Sequence, residues 1–201
     1  MKPIRIIQTL VLLLLTSALS FGQTDLSIFD AMKPRSIGPA GMSGRVTSID
    51  VVRSNKNIIY AGTASGGLWK SVSGGVSWEA LFDKEEVASI GVVTIDPSNA
   101  STIWVGTGEG NPRNSLNGGY GVYRSLDAGQ TWQHMGLKNT KNIHRLIVHP
   151  DDPNTVWVGA IGSPWADHEE RGVFKTTDGG KTWRKVLYDG PGVGTSDLVI
   201  D

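Results

Sequence analysis

"SLDAGQTW" at 125–132 and "TTDGGKTW" at 176–183 are two copies of one pattern: a hydroxyl residue, an acid, a glycine, a threonine and a tryptophan in fixed order. A third stretch, "SVSGGVSW" at 71–78, keeps the frame but has Ser73 where the others have Asp127 and Asp178. The closing tryptophans, Trp78, Trp132 and Trp183, stand 54 and then 51 residues apart. Self-similarity at a period near 50 marks a repeat architecture.

An acid in a glycine-rich turn invites a catalytic reading, but recurrence argues against it. A catalytic acid is needed once per active site, not once per repeat. A short Asp side chain can accept hydrogen bonds from backbone N–H groups ahead of it and so fix a tight turn. Gly129 and Gly180 can take the positive φ that such a turn requires, and each tryptophan can fold back into the interface between repeats. Ser73 can make a weaker version of the same turn. Ser73, Asp127, Asp178 and the three tryptophans are therefore read as structural.

Working outward from these turns, three copies span 44–82, 90–137 and 143–188, and a further one opens at 196–201 with "SDLVID". Each holds four strand-like runs of β-branched and aromatic residues separated by Asp-Pro, Asn or Gly turns. In the second copy the runs are 91–96, 102–107, 121–125 and 131–135. Four antiparallel strands per repeat make a β-propeller blade. The expected fold is all-β: about three blades plus the first strand of a fourth, an incomplete ring. Closed propellers typically have 4–8 blades, so the remaining blades are expected C-terminal to this chain.

The opening 22 residues carry Lys2 and Arg5, an apolar run and a small-residue end, the pattern of a secretory signal peptide. Residues 23–43 form a lead-in to the blades. Export to a periplasmic, cell-surface or extracellular location is expected, with no stable membrane span after cleavage. The chain has no cysteine, so packing rather than disulfides must stabilise it. Nineteen basic and nineteen acidic residues cancel, which gives no electrostatic case for nucleic acid.

Blade topology assigns a face to each loop. Turns 1–2 and 3–4 share one face, and loops 2–3 and 4–1 share the other. The repeated acids lie on the first face, while length variation is confined to the second. Long polar loops on a rigid scaffold are where binding residues concentrate. The ligand-binding candidates are Glu109, Asn111 and Arg113 in one 2–3 loop, and Trp165, Asp167, His168 and Glu169 in the next. Arg45 and His144 join them at the heads of the first and third inner strands. Ordinary solvated loops with local ion pairs are the plain alternative. Neighbouring Asp167, His168 and Glu169 point in different directions, so no metal site and no cofactor is expected. No catalytic residue is assigned.

"SIGPAGMSGRVTSIDV", "VGTGEGNPRNS" and "EERGVFKTTDGGKTW", with the repeated turns, resemble the N-terminal part of large exported BNR/Asp-box propellers. These are grouped with sortilin-like domains and xyloglucanase-type glycoside hydrolases. The resemblance implies a propeller that binds a glycan or peptide as a scaffold, or a glycoside hydrolase whose catalytic residues lie partly outside this chain. A membrane-complex assembly factor would share the fold. In the xyloglucanase-like enzymes an early blade carries a catalytic Asp in a stretch similar to Arg-Thr-Asp-Ile-Gly-Gly. Here that stretch is "GTASGG" at 62–67, and Ala64 takes the place of the acid.

Overall fold

The computed structural model describes residues 45–111 and 114–201. The signal peptide and lead-in expected over 1–43 lie outside the described residues, as does Arg113. Twelve strands follow in order: β1 (Val46–Val51), β2 (Ile59–Thr63), β3 (Leu68–Ser71), β4 (Glu79–Ala80), β5 (Ile90–Asp96), β6 (Asn99–Thr107), β7 (Val122–Ser125), β8 (Gln133–His134), β9 (Ile143–Val148), β10 (Val156–Ala160), β11 (Gly172–Thr176) and β12 (Arg184–Leu187). They pair as three antiparallel four-stranded sheets, β1–β4, β5–β8 and β9–β12. The expected blades are present, and β1, β5 and β9 adjoin one another as the inner strands.

The outer strand is shorter than the sequence suggests. The run 131–135 yields only Gln133–His134, with Thr131 bonded to Asp127 in the preceding turn and Trp132 bonded across to Leu81 of the blade before. β6 instead starts earlier than its run, at Asn99. Residues 196–201 pair with no strand among the described residues.

Each repeated turn is built alike. The hydroxyl that opens the pattern is buried, and its oxygen accepts two backbone N–H groups: Ser125 from Asp127 at 3.2 Å and Gly129 at 2.8 Å, Thr176 from Asp178 at 3.3 Å and Gly180 at 3.0 Å. That hydroxyl donates to the Asp carboxylate, which also receives the N–H and O–H of Thr131 or Thr182. Ser73 accepts the Ser77 N–H at 2.9 Å, so the first blade makes the same turn with a neutral acceptor. Two consecutive positive-φ residues close each turn: Gly74 and Gly75, Ala128 and Gly129, Gly179 and Gly180.

The closed turn aims the tryptophan. Trp132 Nε1 donates to the Leu81 carbonyl at 3.0 Å, and Trp183 Nε1 donates to that of Met135 at 2.7 Å, each reaching the residue just after the outer strand of the blade before. Trp132 also packs edge-on against Phe82, ring centres 5.1 Å apart. The core accordingly lies between blades. One cluster joins Tyr60, Leu68, Phe82, Ile90 and Ile103 across the first joint, and another joins Trp104, Met135, Ile143 and Phe174 across the second. Inner strands are stapled by hydroxyls: Ser48 takes the Val93 N–H at 3.0 Å, and Thr94 donates to the Leu146 carbonyl at 2.9 Å.

A glycine at one position of every second strand sets the blade spacing. A Cβ on Gly62 would meet Ile90 Cγ2 at 2.6 Å, one on Gly106 would meet Ile143 Cγ2 at 2.4 Å, and one on Gly159 would meet Thr195 Cγ2 at 2.9 Å. The head of each following repeat is thus seated in the hole left by a missing side chain.

Three outcomes are expected. Trp132→Ala should lower unfolding stability by about 3 kcal/mol in denaturant melts, the low end for a core aromatic because the ring is only part-buried. Ala128→Gly should raise it by about 1 kcal/mol, because it relieves a left-handed alanine at a position where the other two turns have glycine. The hydrogen bonds from Thr131 and then Ser125 pull the Asp127 carboxyl down to about 2, and those from Thr182 and Thr176 pull Asp178 lower still. A depressed folded pKa contributes stability above the unfolded value of roughly 4, and this is lost as pH falls toward 2. Melting temperatures between pH 4 and pH 2 should therefore fall less for Asp127→Asn/Asp178→Asn than for the wild type.

Candidate functional site

The long loops and inner-strand heads meet at the end of the arc opposite the Asp turns, as blade topology requires. Glu109 opens the 2–3 loop of the second blade and is fully buried, at 0% exposure. Its carboxylate receives Arg45 Nε at 2.8 Å and also Arg45 Nη2 in a two-pronged ion pair. Arg45 heads the first blade's inner strand, so the pair ties two blades across 64 residues of chain. A carboxylate removed from water needs such a partner, since an uncompensated buried charge is strongly destabilising. Both Glu109 oxygens are therefore occupied.

Around this pair the backbone is held by side chains that the sequence alone did not single out. Ser89 Oγ accepts the Glu109 N–H at 3.1 Å and donates to the Asn117 carbonyl at 3.1 Å. The buried Asn142 donates to the Glu109 carbonyl. Residues from all three blades or their connectors thus form one polar knot. Each is a lone Ser or Asn outside any repeated motif, which is why no pattern exposed them. Ala64 lies against the knot: fully buried, it donates its N–H to the Arg45 carbonyl at 2.9 Å.

Beside the knot opens a cavity of about 280 Å³ whose lining includes Glu109, Asn111, Asn142, His144, Pro164 and Ser196. The structure brings Glu109, Asn111 and His144 together here, with Arg45 behind Glu109. His144 Nδ1 is buried without a hydrogen-bond partner. Gly110 packs against the ring so closely that a Cβ there would lie 2.4 Å from Nδ1. Burial, and then the neighbouring Arg145 charge, push the His144 pKa below the usual histidine value, so the ring is neutral at pH 7.

The other candidates form a separate group. The 2–3 loop of the third blade is propped from beneath by the buried Arg171, which donates to the carbonyls of Ser163 at 2.5 Å, Ala166 at 2.9 Å and Gly192 at 3.3 Å. Glu169 accepts the Tyr188 hydroxyl at 2.6 Å and His168 donates its N–H to the Pro191 carbonyl at 2.9 Å, so both serve the loop itself. Asp167 is exposed, and Trp165 projects with 65% of its surface free. Pro164, the residue before Trp165, lines the cavity, whereas Trp165 itself does not. Among the described residues, no group of three His, Asp or Glu converges as a metal site, and no helix is long and apolar enough to cross a membrane.

The family model Sortilin-Vps10, described as sortilin, neurotensin receptor 3, matches residues 66–190, well over half of the chain. The chain belongs to this family. It is also 28% identical over 168 residues to a xyloglucanase of a Paenibacillus species, covering 77% of this chain and 16% of that protein. Curated relatives of this kind are several times longer, and the chain spans a fifth or less of their length. Among solved structures, a GH74 xyloglucanase from Xanthomonas campestris superposes with a TM-score of 0.54 at 24% identity, over 76% of this chain and 22% of that one. YCF48 bound to D1 peptide superposes with a TM-score of 0.52 at 14% identity, over 75% and 43%. These likenesses establish the Asp-box propeller fold.

The ion pair gives its own expected result. Arg45→Met strands the buried Glu109 carboxylate and should lower the melting temperature. Adding Glu109→Gln should restore part of the loss, as measured by a double-mutant cycle of thermal melts.

Proposed function

We propose that the loop face of this arc holds a polysaccharide of the xyloglucan class, as the glycan-binding part of a glycoside hydrolase-type propeller protein. The observation that carries this is the likeness to xyloglucanases over three quarters of the chain. The site is chemically suited to the role. Asn111, Ser196 and the half-buried ring of His144 line the cavity and offer donors and acceptors to sugar hydroxyls. The exposed Trp165, in the third blade's loop, offers an apolar face for a sugar ring. The expected signal peptide suits a polysaccharide outside the cell.

Hydrolysis, on this reading, belongs to the whole protein rather than to these blades. Ala64 supplies no acid where the resemblance would place one, and Glu109 is committed to Arg45. Glu109 is a positioning residue for the cavity wall.

Binding of tamarind xyloglucan to the full-length protein, followed by calorimetry, tests the proposal. His144→Ala should weaken binding about ten-fold, the loss of one hydrogen bond in a buried site, without changing the melting temperature. No detectable xyloglucan binding by the wild type, or unaltered binding by both His144→Ala and Trp165→Ala, overturns it. Reducing-sugar release should persist in Arg45→Met/Glu109→Gln if the acids lie beyond these blades. Release abolished by Glu109→Gln at unchanged binding would make Glu109 catalytic instead.

A further inference from the structure

Of the chain's asparagines, only Asn117 is followed by glycine. An asparagine in that setting can react with its own backbone. The amide nitrogen of the next residue attacks the side-chain carbonyl carbon, and a glycine has no side chain to obstruct the approach. Asn117 and Gly118 are both exposed, and a Cβ on Gly118 would meet nothing within 4 Å. The Gly118 N–H donates to no acceptor among the described residues. The Asn117 side chain is held only by a long contact, from Nδ2 to the Ala64 carbonyl at 3.4 Å.

The other half of the same peptide group is gripped from the protein side. The Asn117 carbonyl oxygen accepts the Ser89 hydroxyl at 3.1 Å and the Glu109 N–H at 3.2 Å, and Asn142 Nδ2 stands 3.5 Å away. Ser89, Glu109 and Asn142 are all buried, and they hold one another in place: Ser89 Oγ shares the Glu109 N–H at 3.1 Å, and Asn142 donates to the Glu109 carbonyl. A peptide nitrogen must lose its proton to attack, and the negative charge then spreads onto the carbonyl oxygen of that peptide. Donors already aimed at that oxygen stabilise it more once it is charged, because a hydrogen bond to an ion is stronger than one to a neutral group. The polar knot beside the cavity is thus also an oxyanion hole for the Asn117–Gly118 peptide.

We propose that Asn117 is a self-modifying site, at which the buried Ser89, Glu109 and Asn142 donors promote closure of its side chain onto the Gly118 nitrogen. The Gly118 N–H proton passes to solvent hydroxide, and the nitrogen bonds to Asn117 Cγ. The Cγ–Nδ2 bond breaks, and Nδ2 takes a proton from water and leaves as ammonia. Water then opens the five-membered imide. Attack at Cγ gives aspartate, and attack at the backbone carbonyl carbon gives isoaspartate. Either product adds a negative charge to the loop. Isoaspartate also lengthens the main chain by one atom, between Leu116 on the cavity wall and Gly119, whose N–H is anchored on the Lys141 carbonyl. The change therefore reaches the cavity without altering Glu109 or His144 chemically.

The test follows full-length protein kept at neutral pH and body temperature. Trypsin releases the peptide 114–124, and electron-transfer fragmentation in a mass spectrometer distinguishes asparagine, aspartate and isoaspartate within it. The same peptide carries Asn114, followed by serine, as an internal reference. Asn117 should convert about ten-fold faster in the folded protein than in the synthetic peptide free in solution, as expected when bonds to a neutral oxygen become bonds to an ion. Asn114 should show no such acceleration, and Ser89→Ala should return Asn117 to the rate of the free peptide. Conversion in the folded wild type no faster than in the free peptide overturns the proposal, and this comparison does not depend on any variant folding. Equal acceleration at Asn114 also overturns it, as does a Ser89→Ala protein with a normal melting transition that converts at the wild-type rate.

Discussion

One indole N–H per joint, donated across a blade boundary to a backbone carbonyl, is the contact on which the rest of the arc depends. A propeller blade has no core of its own, because a single four-stranded sheet buries its faces only against its neighbours. The tryptophan therefore has to cross the boundary at one height and angle, and its nitrogen must find an acceptor there once water is excluded. Trp132 and Trp183 meet both conditions on the carbonyls of Leu81 and Met135. The Asp turn sets that angle. A buried hydroxyl gathers two N–H groups, a carboxylate gathers the next threonine, and two left-handed residues reverse the chain. A turn bearing this many unpaired backbone donors favours a strong acceptor, which Asp127 and Asp178 supply and Ser73 supplies in weaker, neutral form.

The two ends of the blades consequently obey different constraints. At the Asp-turn end every joint solves the same backbone problem, so the residues repeat. At the loop end the only common demand is that polar groups taken from water be satisfied, and each joint does this differently. The first joint pairs the half-buried Arg45 with the buried Glu109, and the second uses Asn142 against the Glu109 carbonyl. Freedom from repetition is what allows the cavity at that end to be lined by one histidine and by polar residues found in no other blade.

This division also explains what the sequence made legible. Blade number, the structural nature of Asp127 and Asp178, and the facing of the loops all follow from periodicity, because they recur. The meeting of Glu109, Asn111 and His144 followed from topology, since loop 2–3 and the inner-strand heads share a face. The Arg45–Glu109 bond did not, because a contact between residues 64 apart at non-equivalent positions leaves no periodic trace. For the same reason Trp165, Asp167, His168 and Glu169 read as one site with the rest, whereas Arg171 and Tyr188 fold them into a separate loop. The glycines at 62, 106 and 159 do recur and were open to recognition, but a missing side chain signals only through the neighbour that fills its place.

The third joint shows how far repetition binds. At the first two, Ser48 and Thr94 staple the inner strands, while the residues in register with them in the third blade, Arg145 and Ile147, have no hydroxyl to offer. An exposed ion pair, Arg145 with Asp197, stands there instead. Exposed pairs contribute little, so this joint has lost a buried hydrogen bond and gained a solvent-screened substitute. The two contacts nearest the axis are thus the negotiable ones. The glycine hole persists at the same joint, where Gly159 receives Thr195, and it acts by shape rather than by a particular side-chain partner. What a propeller of this kind must conserve between blades is the surface that accepts a neighbour's backbone; the side-chain staples can be exchanged.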